Sequence, residues 1–148
     1  MYPTLNLMTI CLLATGCGPT PSAANSLIVD PLYQSEVTLF QQQYGQITIP
    51  LKVREGRLPL PTIGWCNQWD IGTPEERTEI VIDQMVTDPL TLHIILWHEL
   101  GHCVLKRSHT RGQINGHLKS IMNPEIPSNG EYRANQAYFD HELSHPAR

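Results

Sequence analysis

From Leu90 to Leu105 the chain runs sixteen residues without proline and with one glycine, apolar on almost every side at Leu92, Ile94, Ile95, Leu96, Trp97, Leu100 and Val104. A helix that is apolar all round must be wrapped by the rest of the molecule. Asp88 offers a side-chain cap and Pro89 suits the first turn, so the predicted helix starts there. A chain of 148 residues holds one core of that kind, and the fold expected is a single domain built around this segment.

The flanking sequence is mixed. Leu32, Glu36-Val37, Leu39-Phe40 and Tyr44 recur at helical spacing, with Gly45 as a stop. Gln46 to Val53 and Thr78 to Val86 alternate like strands, with Pro50 favouring an edge or a bulge in the first. Residues 56–76, rich in Gly and Pro, read as irregular loop around Trp65, Cys66 and Trp69, and 106–129 read as loop again. Glu131 to His145 is a last helix. Helices and strands in this order predict an α+β domain.

Ten Lys and Arg against fourteen Asp and Glu, with no basic run longer than Lys106-Arg107, exclude a nucleic-acid footprint. No apolar stretch reaches the roughly 18 residues of a membrane-spanning helix. Residues 1–29 lack charge, and the apolar run Leu5–Leu13 ends in Ala14-Thr15-Gly16-Cys17. This resembles a bacterial lipoprotein signal, although no Lys or Arg follows Met1 and Ala14 stands where such signals usually carry Leu. It implies a signal over 1–16, lipidation of Cys17, a tether over 17–29, a folded domain over 30–148 and an exported, lipid-anchored location in the cell envelope. Cys66 and Cys103 are then left for the domain and, in an oxidising compartment, are expected to pair as a disulfide, the competing reading being two separate buried thiols.

Inside the apolar helix stands His98-Glu99-Leu100-Gly101-His102. Two histidines four apart lie on one helix face, close enough to hold one Zn²⁺, and the glutamate between them is placed as general base. His109 is the expected third ligand, with His117 and Glu125 as alternatives, because a catalytic zinc takes three protein ligands and leaves the fourth place to water. The same pattern recurs at His141-Glu142-Leu143-Ser144-His145, but only Pro146, Ala147 and Arg148 follow it. That copy reads as accidental, on an exposed helix.

Together with Ser120-Ile121-Met122-Asn123-Pro124, the motif over about residues 78–145 resembles the metzincin clan of zinc peptidases, and small exported bacterial putative metallopeptidases in particular. The resemblance implies a small twisted mixed sheet, a buried active-site helix, a tight turn at Met122 beneath the metal and a C-terminal helix. It also implies a peptide or protein substrate lying along an edge strand, for which 78–84 is the candidate. The usual spacing puts the third histidine six residues past the second with a glycine midway; here His109 is seven past His102 and no glycine intervenes. One extra residue must be absorbed in that turn, where a non-glycine residue can take a left-handed conformation at modest cost.

His93 lies about 140° round the helix from His98 and is expected to miss the metal. His117, Lys106 and Arg107 read as solvated, Trp65, Trp69 and Trp97 as core or disulfide cover, and Tyr132 as a guess for an oxyanion partner. The expectation is a monomeric, zinc-dependent endopeptidase with His98, His102 and His109 on the metal and Glu99 as base. Two alternatives are an inactive zinc-stabilised peptide-binding domain and a gluzincin-like site with Glu125 as third ligand, although Pro124 and Pro127 disfavour the helix such a ligand needs.

Overall fold

In the computed structural model, which describes residues 26–73 and 75–145, the chain opens on a short strand β1 (Leu27–Val29), a 3₁₀ turn (Pro31–Tyr33) and helix α1 (Gln34–Tyr44). Strands β2 (Leu51–Gly56), β3 (Gly64–Trp69) and β4 (Arg77–Asp83) lead to helix α2 (Pro89–Cys103). A small hairpin, β5 (Gln113–Ile114) with β6 (His117–Leu118), and helix α3 (Asn129–Ser144) complete the fold. It is an α+β domain with a mixed four-stranded sheet in the order β1-β2-β4-β3. β1, β2 and β4 run parallel, and β3 is antiparallel to β4 at the edge.

One face of the sheet carries the apolar residues. Leu51 and Val53 of β2 and Ile80 and Ile82 of β4 are buried beneath α2, with Val37 and Phe40 of α1 and Phe139 and Leu143 of α3 in the same core. The opposite face carries Lys52, Arg54 and Glu79, with Arg54 donating to Glu79 at 2.8 and 3.2 Å, beside half-exposed Trp65 and Trp69. α2 begins where the sequence places it: the Asp88 carboxylate accepts from the Thr91 amide at 2.8 Å, and proline occupies the first turn.

Several boundaries differ. The strand predicted over 46–53 lies at 51–56, since Pro50 has no amide hydrogen to give a ladder and contributes only its carbonyl, which accepts from Thr78. The segment 56–76 contains β3, held against β4 from Gly64 opposite Ile82 to Trp69 opposite Arg77. Strand β4, predicted as the edge, therefore lies inside the sheet. β1 falls within the stretch assigned to a tether over 17–29, so the folded part begins before residue 30. The signal over 1–16 and Cys17 lie outside the described residues. Cys66 and Cys103 form a disulfide with Cα atoms 5.8 Å apart, which removes the reading of two free thiols and ties β3 to the end of α2. Among the described residues no helix is long and apolar enough to cross a membrane.

Candidate metal centre

The helical repeat brings His98 and His102 onto one face of α2, and the chain then turns back to bring His109 against them. The turn uses Lys106 at φ 56°, the left-handed residue that the missing glycine requires. His102 Nε2 stands 3.0 Å from His98 Nε2 and 3.1 Å from His109 Nε2. The far side of each helical ring faces a carbonyl: His98 Nδ1 lies 2.7 Å from Ile121 O, and His102 Nδ1 lies 2.7 Å from Arg107 O. Only an N–H can sit so close to a carbonyl oxygen, so in both rings Nδ1 carries the hydrogen and Nε2 presents its lone pair.

Lone pairs facing one another at this separation repel unless a cation or a proton lies between them. A proton fits poorly. Burial pushes the His98 imidazole down to about 4, and the neighbouring His102 and His109 push it the same way, against the Ile121 hydrogen bond. Burial lowers His102 as well. A divalent metal fits better, because two nitrogens bound at 2.0–2.1 Å to one tetrahedral zinc stand about 3.3 Å apart. The donor set, three imidazoles graded from buried to exposed, suits zinc with one side open.

Glu99 is buried beside this trio in a cleft of about 980 Å³. Burial pushes its carboxyl up to about 7, opposed by the Cys66 backbone amide. Its place depends on Gly64 of β3: a Cβ there would fall 2.7 Å from Glu99 Oε1 and 2.6 Å from Ile95 Cγ2. The edge strand that passes over Glu99 is thus β3, in a segment the sequence predicts as loop.

Beneath the histidines, Ser120 to Asn123 form a tight turn in which Met122 is fully buried. Its sulfur packs on Gly101 so closely that a Cβ at 101 would overlap it. Ile121 O orients His98, and Met122 O accepts from the Thr110 amide at 2.9 Å, holding the residue after His109. Arg107, expected to be solvated, has a side chain only 10% exposed and donates to the Glu142 carboxylate at 2.6 Å. Glu142, expected on an exposed face, is buried. Its other carboxylate oxygen accepts a short hydrogen bond from Ser120 Oγ, which in turn accepts from the Met122 amide at 2.9 Å.

The remaining candidates lie elsewhere. His93 misses the trio and bridges Glu36 and Tyr132 at 2.7 Å each. Tyr132 is fully buried in that network, with its hydroxyl on Asp140, and does not line the cleft. His117, expected to be solvated, packs on the rings of Tyr138 and Phe139 and stands outside the trio. Glu125 lines the cleft from an irregular segment but does not join the three imidazoles. Trp97 is buried as expected, whereas Trp65 and Trp69 are 48% and 46% exposed. No family model matches the chain, and no similar protein was found among curated proteins or solved structures.

Proposed function

We propose that this chain is a zinc-dependent endopeptidase of metzincin type, exported and anchored by lipid at Cys17. The observation that carries the reading is the inward convergence of three Nε2 lone pairs, two of them fixed by Nδ1–H bonds to carbonyls, beside a buried carboxyl raised to about 7. His98, His102 and His109 hold the metal. A zinc ion held by them would lower the pKa of an attacking water and polarise the scissile carbonyl.

The Glu99 carboxylate would take a proton from the attacking water and return it to the leaving nitrogen, a task suited to a group that titrates near neutrality. β3 supplies what a peptide substrate requires. Among the described residues it is an edge strand of the sheet, the kind of strand an extended chain can pair with, and it lines the cleft with Gly64 against Glu99. That preference for strand-like ligands favours peptides over sugars or phosphate esters.

Elemental analysis and a peptide library test the proposal together. The purified protein is expected to carry about one zinc per chain. Glu99→Gln is expected to keep the zinc and lose hydrolysis by a factor on the order of 10² to 10⁴, the usual share of a general base. Zinc at full occupancy with no cleavage of any library member would leave a zinc-stabilised peptide-binding domain. Full occupancy in His109→Ala would move the third ligand elsewhere.

A further inference from the structure

We propose that Glu142, in the second His-Glu-x-x-His pattern of the sequence, is a positioning residue of the metal centre. The inference rests on the metal-binding part of the reading above and not on peptide hydrolysis. Neither His141 nor His145 approaches the metal trio; both are exposed, with their rings stacked on each other. The glutamate between them points the other way, into the core, where it is 3% exposed.

Its carboxylate grips two separate segments. One oxygen accepts from Arg107 Nη2 at 2.6 Å, while Arg107 Nη1 donates to the Glu142 and Leu143 carbonyls at 2.9 and 2.5 Å. The other oxygen accepts from Ser120 Oγ, which receives the Met122 amide. The carbonyl of Arg107 is the acceptor for His102 Nδ1–H, and the carbonyl of Ile121, between Ser120 and Met122, is the acceptor for His98 Nδ1–H. Both hydrogen bonds that turn the helical imidazoles toward a common point therefore converge on one buried carboxylate. Backbone carbonyls in irregular segments hold such positions only when something fixes those segments, and a buried ion pair with its remaining valences satisfied is rigid enough to do so. Glu142 acts through the chain it holds, without touching the metal.

Two consequences are specific. Losing the carboxylate should disturb both His98 and His102, whereas cutting the Ser120 arm alone should disturb His98 and spare His102. The experiment compares wild type, Glu142→Gln, Ser120→Ala and Phe139→Leu, the last weakening the packing of α3 without touching the carboxylate. Zinc affinity is measured by competition with a chromophoric chelator, the visible spectrum of the cobalt-substituted proteins is recorded, and imidazole tautomers in the metal-free proteins are read from long-range ¹H–¹⁵N correlations.

Glu142→Gln is expected to lose about 10–100-fold in zinc affinity, as partners of metal-bound histidines do. Its cobalt spectrum should change, and both rings should lose their single Nδ1–H tautomer. Ser120→Ala is expected to show the tautomer change at His98 alone. Phe139→Leu should melt at lower temperature yet keep wild-type affinity and tautomers. Wild-type affinity, spectrum and tautomers in Glu142→Gln, or an equal loss in Phe139→Leu, would overturn the proposal. If Glu142→Gln does not fold, the His98-only pattern in Ser120→Ala decides the matter. Should wild type bind no zinc, the metal reading fails separately and the metal-free tautomers still test the role of Glu142.

Discussion

A single methyl group at residue 64 would displace the Glu99 carboxyl from its place. Gly64 leaves the space that the Glu99 carboxylate occupies, and a Cβ there would meet Oε1 at 2.7 Å and Cγ at 3.0 Å. Gly64→Ala is therefore expected to displace the carboxylate without touching a metal ligand. Since a misplacement of about 1 Å can cost about 100-fold in rate, hydrolysis should fall by that order while zinc content by elemental analysis stays at the wild-type level. Equal hydrolysis in the variant would show that Glu99 is not held where the base must act. This residue was not legible in the sequence, and the contrast with His98, Glu99, His102 and His109 explains why. Their chemistry is fixed by residue type and spacing within one segment, whereas the role of Gly64 exists only once β3 crosses α2. Arg107 and Glu142 hid for the same reason: their partnership joins residues 35 apart, and a lone charged residue in sequence reads as solvated.

Elements whose signals are local were legible and the others were not. α2 announced itself through its apolar surface and its Asp88-Pro89 start. β3 gave no alternation, because the positions it turns toward α2, Gly64, Cys66 and Gln68, are not apolar. They serve the base, the disulfide and a hydrogen bond from Gln68 Nε2 to Cys103 O at 3.1 Å. The start of α2 carries a prediction of its own. The Thr91 backbone amide, then the Thr91 hydroxyl and the Asn129 amide, hold the Asp88 carboxyl below its ordinary range. The backbone amides of Leu58 and Met85 do the same for Asp83. A carboxyl whose pKa falls on folding adds stability that is complete above its unfolded value of about 4 and is lost as pH drops through the folded value. Chelator-treated protein, in which metal release no longer contributes, is therefore expected to lose stability steadily below about pH 4. In Asp88→Asn the denaturation midpoint should be lower at neutral pH and should fall less steeply with acid. An unchanged acid slope would show that Asp88 does not stabilise the start of α2 through its charge.

Across the whole molecule, the cleft is bounded by α2 and by the sheet that packs beneath it, and a disulfide joins the two besides their shared core. The proposed metal ligands belong to α2 and to the chain leaving it, while the proposed substrate edge belongs to the sheet. Cys103 directly follows His102, and its bond to Cys66 fixes the middle of β3 to the end of the helix that carries His98 and His102. The two cysteines are 37 residues apart, so the link removes on the order of 3–4 kcal/mol of unfolded-chain entropy. Replacing both by alanine is expected to lower the free energy of unfolding by about that amount. The functional effect should divide along the same boundary. Zinc affinity should stay near wild type, since His98, His102, His109 and the carbonyls behind them lie outside β3. Hydrolysis should fall through a raised KM, because a loosened β3 presents its edge to a peptide less firmly. A double variant that loses zinc affinity as much as substrate affinity would mean that the disulfide supports the metal centre itself, and the division of the cleft into a metal-holding helix and a substrate-holding strand would be wrong.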